Sequence, residues 1–232
     1  MMELQLFSGG AAQAVVNGLR PSFEAAHACT VAPTFGAVGT MRDKLLAGAP
    51  CDLLVLSQVL IDQLTQQGHL VAGSARPLGR VETGVAVLAG NAPVDVSDGD
   101  ALRAALLACK GLYVPHLTQS TAGIHIAGVL NKLGLTDTLA DRIHEYPNGN
   151  AAMTAMAKAG GQGLLGCTQV TEIRYTPGVT LVGDLPSGYG LSTVYTAAVC
   201  THAAAPALAA QFVQALSEPA SASLRKESGF SL

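Results

Sequence analysis

Short apolar runs that end in small or hydroxyl residues, then pass into amphipathic helical stretches, recur along the whole chain. That alternation constrains the fold more than any other feature, because it is the pattern of an α/β protein in which each strand is followed by a helix. Residues 3–8, 30–35, "CDLLVLS" (51–57) and "GRVETGVAVLAG" (79–90) read as strands. Residues 11–27, 39–47 and 58–67 read as helices between them, the first broken at Pro21. The series restarts after Pro93. A helix capped by Ser97 and Asp98 runs to Cys109, followed by the strand "GLYVP" and a helix over 120–134 that begins at Ser120. The strand "IHEYP", a helix over 148–159 and the strand "GLLGC" come next. A strong β run, "LSTVYTAAVC" (191–200), precedes two closing helices over 206–217 and 220–227. Two such series, joined by long strands near Gly84 and Leu191, predict two α/β lobes, each a mixed sheet flanked by helices. The boundaries expected are 1–83 plus 191–232 for the first lobe and 84–190 for the second, with a ligand cleft between them.

Charge and cysteine usage narrow the function classes. A net charge of −3 and a pI near 6.0 argue against a nucleic-acid partner. No run reaches the roughly 18–20 consecutive apolar residues that span a bilayer, so membrane insertion is not expected. The N-terminus lacks a basic region followed by an apolar core and a small-residue cleavage site. The five cysteines (Cys29, Cys51, Cys109, Cys167, Cys200) are odd in number and widely spaced, and read as small buried hydrophobes. Together these features place the chain in the cytoplasm as given, or in the periplasm if a leader has been removed. Oligomeric state is left open.

Candidate binding groups fall where strands give way to helices. The turns are Ser8-Gly9-Gly10-Ala11, Gly36-Ala37-Val38-Gly39-Thr40, Ser57, the stretch holding Thr118, Ser120 and Thr121, Asn148-Gly149-Asn150, and Cys167-Thr168-Gln169. In open parallel sheets, ligands bind outside the carboxyl ends of the strands, where helix N-termini present free amides. Any one of these turns is explained by ordinary helix capping; six in one chain point to a shared anion site. "FSGGAA" has neither the spacing nor the lysine of a phosphate loop, and no dinucleotide fingerprint, so a nucleotide cofactor is not expected. The six histidines include no pair at helical ligand spacing, so neither metal nor any other cofactor is called for. Arg42, two residues past Thr40, is placed to grip a carboxylate bidentately, or else lies on a solvated helix face. His125, one turn inside its helix, faces either a ligand or the core. Glu172 reads as an exposed helical glutamate that could serve as a general base. Cys167 lies at a strand's carboxyl end, without a context that marks it as a nucleophile.

The blocks "LFSGGAAQAVVNGLRPSFE", "TFGAVGTMRDKLLAGAPCDLLVLS", "GRVETGVAVLAG" and "PGVTLVGDLP" resemble the periplasmic molybdate-binding proteins of ABC transporters, over nearly the whole chain. The resemblance implies the type II periplasmic-binding-protein fold, an oxyanion held at helix N-termini, and a transporter permease as partner. It also implies donors that this sequence lacks: a serine at Ala11, a serine pair near Ala37 and Val38, and a tyrosine near Thr168 or Gln169. Their loss leaves a bare tetrahedral oxyanion poorly hydrogen-bonded and favours a small di- or tricarboxylate as ligand. Bacterial aconitate isomerases are similar to the same family, which implies an alternative: a cytosolic isomerase or lyase of a small polycarboxylate. In that case His125, Glu172 and Cys167 are the candidates for proton transfer.

Overall fold

The computed structural model describes residues 2–232, and the chain divides into two compact units. One holds residues up to Val81 together with Thr193–Leu232, the other Glu82–Ser192. The first unit opens with β1 (Met2–Gly9), a 3-10 turn (Gly10–Ala12), α1 (Gln13–His27), β2 (Cys29–Gly36), α2 (Val38–Leu46), β3 (Leu53–Ser57) and α3 (Gln58–Gln66). A long strand, β4 (Arg76–Leu88), carries the chain onward. The second unit continues with α4 (Gly99–Ala108), β5 (Gly111–Pro115), α5 (Thr121–Lys132), α6 (Thr136–Leu139), β6 (Ile143–Tyr146), α7 (Gly149–Ala159), β7 (Leu164–Gln169), α8 (Val170–Tyr175) and β8 (Val179–Asp184). The first unit is completed by β9 (Ser192–Val199), α9 (Pro206–Ser217) and α10 (Ala222–Glu227).

In the first unit, β1 pairs in parallel with both β2 and β3, and β9 closes the sheet antiparallel to β3. The inner strands are apolar on both faces (all five residues of β3 are buried), as expected of a sheet covered by helices on each side. α1 contributes Val15, Val16 and Phe23, one stripe at helical spacing, and Phe23 meets Phe212 of α9 with ring centroids 4.6 Å apart. The break expected at Pro21 does not occur. Pro21 lies inside α1 on an exposed stretch, and the apolar stripe on either side of it keeps the helix on the sheet. The closing segment is tied down by a buried arginine. Arg225 Nη2 donates to the carbonyls of Ser217 and Glu218, each at 3.0 Å, and Nη1 to that of Leu78.

In the second unit, β7 and β6 flank β5 in parallel, while β4 runs antiparallel to β7 and β8. Asp98 caps α4 by accepting from the Ala101 amide at 2.8 Å, as its sequence position predicts. Two elements have little sequence signal of their own. β8 and the single-turn helix α6 are both too short for a periodic pattern to stand out.

Candidate functional site

Within the first unit, the parallel strands end at a common edge: Gly9 lies opposite Gly36, and Ser8 opposite both Phe35 and Val55. The helices that begin there are preceded by Gly9 and Ala12, Ala37 and Ser57, and none of these residues makes a side-chain cap. Helix N-terminal amides that lack an internal side-chain acceptor are suited to an anion. Ser8 is fully buried and donates its hydroxyl to the Gly9 carbonyl at 2.9 Å. A side chain at Gly9 would bring its Cβ within 2.8 Å of Val38 Cγ1 and 3.0 Å of Tyr195 Cε1, so the turn closes only around a glycine. Gly10 and Ala11 are buried in the 3-10 turn, Val38 and Gly39 are buried at the start of α2, and Thr40 is half-buried.

Arg42 pairs with its neighbour in the chain. Its Nε and Nη2 lie 2.8 and 2.7 Å from Asp43 Oδ1, on a partly exposed helix face. A hollow of about 420 Å³ in this unit is lined by Ser74, Arg76, Val199, Ala210, Val213 and Gln214. Ser74 bonds the Val71 carbonyl and the Val199 amide, and Arg76 bonds the carbonyls of Gly73 and Ala75.

Within the second unit, β5, β6 and β7 likewise end together, with Pro115 opposite Tyr146 and Tyr113 opposite Gly166. Here several predicted binding groups serve the fold. Asn148 caps α7 by accepting from the Ala151 amide at 2.8 Å, and Ser120 caps α5 through a longer 3.5 Å contact with the Gly123 amide. Asn150 donates to Thr176 Oγ1 at 2.9 Å. Thr121 opens α5 half-buried, and Thr118 is exposed beside His116, whose Nδ1 is 3.3 Å from the Thr118 amide.

The expectation of an exposed Glu172 is overturned. Glu172 is 4% exposed, accepting the Gly149 amide on Oε1 at 3.0 Å and the Thr168 hydroxyl on Oε2 at 2.5 Å. Burial holds its carboxyl above the ordinary range, with hydrogen bonds from Thr168 and nearby amides opposing the shift. A Cβ at Gly149 would lie 1.9 Å from Thr168 Oγ1 and 2.1 Å from Glu172 Oε2, so the cluster exists only because residue 149 is glycine. α8 is six residues long, too short for its buried face to be read from periodicity.

The other two proton-transfer candidates are engaged or inert. The His125 ring nitrogen Nε2 is 2.6 Å from the Tyr189 carbonyl, which ties α5 to the segment before β9. Cys167 is buried in β7, and burial, with Cys109 adding to it, pushes its thiol up to about 12. Such a thiol stays protonated near neutrality.

The group that stands out is Gln169. It is 2% exposed, and neither its amide nitrogen nor its amide oxygen makes a hydrogen bond within the chain. Thr83 lies directly opposite it in the β4–β7 ladder, so the two side chains share one face of the sheet. The buried hydroxyls of Thr83 and Thr171 are also without partners. Sequence reading selected Gln169 and missed both threonines, since nothing in "VETGV" or "TQVTEI" marks a hydroxyl as buried and unpaired. Buried polar atoms are nearly always satisfied, which makes the Gln169 amide an exception that calls for an explanation. Among the described residues no cluster of three or more His, Cys, Asp or Glu could hold a metal, and no helix is long and apolar enough to cross a membrane.

Solved structures share this fold over nearly the whole chain. The periplasmic molybdate-binding protein of Azotobacter vinelandii superposes with a TM-score of 0.80 at 20% identity, covering 99% of each chain. The sulfate-binding protein SubI of Mycobacterium tuberculosis H37Rv gives 0.75 at 19% identity, covering 99% of this chain and 86% of that one. An aconitate isomerase of Pseudomonas sp. is 23% identical over 232 aligned positions, which cover 97% of this chain and 86% of the relative. The α/β periplasmic-binding-protein fold expected from the sequence is therefore the fold observed. The match that decides membership covers almost every residue: positions 4–231 fit the bacterial extracellular solute-binding proteins, and the chain belongs to that family.

Proposed function

We propose that the chain captures a small anionic solute, and that the solute is a di- or tricarboxylate rather than a bare tetrahedral oxyanion. The observation that carries this reading is Gln169, whose buried amide offers both a donor and an acceptor with no internal partner. A fully deprotonated oxyanion presents acceptors only and would leave the amide oxygen unpaired, at a cost of about 1–3 kcal/mol. A polycarboxylate bearing a hydroxyl or a retained proton satisfies both ends. The methyl group of Ala11 supports the same preference, because it stands where the molybdate-binding resemblance calls for a hydroxyl donor. As a solute-binding protein the chain would deliver its ligand to a transporter permease.

A second reading, an aconitate-type isomerase, is favoured by the similarity to the Pseudomonas enzyme. Of the three candidate proton carriers, Glu172 alone keeps suitable chemistry, a buried carboxyl that holds its proton above the ordinary range. Thermal-shift measurements with molybdate, tungstate, sulfate, citrate, cis-aconitate and trans-aconitate test the first reading. A bound ligand raises the melting temperature according to RT ln(1 + [L]/Kd). Stabilisation by a polycarboxylate is expected, and a shift with molybdate alone sinks the carboxylate preference. NMR of the protein with trans-aconitate tests the second: conversion establishes an isomerase, and an unchanged spectrum removes it.

A further inference from the structure

The β4–β7 ladder sets Thr83 directly opposite Gln169. Facing residues of an antiparallel pair put their side chains on one face, with Cβ atoms about 4.5–5.5 Å apart, so both polar ends reach the same small volume. The next pair on that face, Val85 and Cys167, packs with Ile126 and Val129 of α5 in one apolar cluster. Thr168 belongs to the other face, where it meets the buried carboxyl of Glu172. The Thr83 backbone is fully engaged. Its amide donates to the Leu191 carbonyl at 3.0 Å, and its carbonyl accepts the Leu185 amide at 2.9 Å. The Thr83 hydroxyl and both amide atoms of Gln169 are left, at 0% and 2% exposure, with no partner among the described residues.

We propose that Gln169 and Thr83 form a subsite for an alcohol hydroxyl of the ligand, so that the chain selects hydroxyl-bearing polycarboxylates over analogues with hydrogen in its place. The subsite rests on the reading that Gln169 meets a polycarboxylate. An ionised carboxylate only accepts hydrogen bonds. It pairs with Gln169 Nε2 and the Thr83 hydroxyl but leaves Gln169 Oε1 bare. It also gives up its hydration between two uncharged side chains at the end of an apolar cluster, at a cost far above that of a neutral group. An alcohol donates to Gln169 Oε1 and accepts from Gln169 Nε2 and from Thr83, so every group finds a partner without a buried charge. A protonated carboxyl has a donor too, but ordinary carboxyls have lost that proton by neutral pH. Sites built to bond a hydroxyl reject analogues that lack it, because their own buried groups are then unpaired. Both aconitates lack a hydroxyl and so fall with the weaker ligands.

Calorimetry with the full chain compares citrate with tricarballylate, and malate with succinate, each pair differing only by the hydroxyl. Citrate or malate should bind about 10–100-fold more tightly than its partner, the loss expected when buried polar groups go unpaired. Thr83→Val keeps the shape and removes the hydroxyl. It should cut that ratio about tenfold, and Thr83→Ser should restore it. The melting temperature of ligand-free Thr83→Val should be unchanged or higher, since the group removed has no partner. Equal binding within both pairs overturns the hydroxyl subsite and leaves the polycarboxylate reading standing. A ratio that Thr83→Val does not change also overturns it, because the hydroxyl is then read without Thr83. If molybdate or sulfate binds and none of the four acids does, the polycarboxylate reading fails and the subsite with it.

Discussion

The Gly149 amide donates to the Glu172 carboxyl at 3.0 Å across 23 residues of sequence, so one side chain of α8 closes the N-terminus of α7. An internal carboxyl thus takes, at this helix start, the kind of position that a free anion takes at other helix N-termini. Gly149→Ala puts a methyl group into the space held by Thr168 Oγ1 and Glu172 Oε2. Overpacking of this kind costs about 1–3 kcal/mol. Urea unfolding should show that loss as a lower midpoint, and an unchanged midpoint would mean the three groups are not packed as described.

Glu172 also makes a pH-dependent contribution with a definite sign. Its folded-state pKa is raised above that of a solvated glutamate, chiefly by burial. The folded protein therefore binds more protons than the unfolded chain between those two values, and stability falls as pH rises through that window. Below the unfolded value the contribution is fully present. Glu172→Gln keeps the shape and an acceptor for the Gly149 amide but cannot titrate. The variant should lose this part of the pH dependence, read as urea midpoints from pH 4 upward; identical profiles for both proteins would refute the assignment.

Gln169→Leu separates stability from binding. Removing a buried amide without partners is expected to leave the ligand-free protein as stable as before, or more so. Affinity for the stabilising polycarboxylate should fall by about 10–100-fold, the equivalent of about 1–3 kcal/mol, measured by calorimetry. Lower stability together with unchanged affinity would assign Gln169 to the fold alone.

Arg42→Ala is expected to change stability by less than about 1 kcal/mol, because its ion pair with Asp43 is solvated and adjacent in sequence. Ligand affinity should also stay within twofold. A tenfold loss would show that the guanidinium leaves Asp43 when ligand arrives.

Cys167 should resist alkylation in the native state at pH 8, since its thiol is buried and pushed up to about 12. Mass spectrometry after iodoacetamide treatment should find Cys167 modified only once denaturant is added.

The alternation of apolar runs and helical stretches, legible from residue types alone, determined the order of strands and helices and located the turns between them. Periodicity and capping chemistry are local, so Asp98, Ser120 and Asn148 could be read as caps before any fold was known. Pro21 shows where local rules yield: tertiary packing of Val15, Val16 and Phe23 carries α1 past it. Which polar groups are satisfied is not a local property. The burial of Glu172, the pairing of Arg42 with Asp43 and the engagement of His125 by Tyr189 all depend on neighbours that only the folded chain supplies. The isolation of Gln169 beside Thr83 likewise comes from a ladder that brings residues 86 positions apart onto one face. Sequence fixes where hydrogen-bonding groups are, whereas tertiary structure alone decides which of them find partners, because desolvation acts on a group's final surroundings and not on its place in the chain.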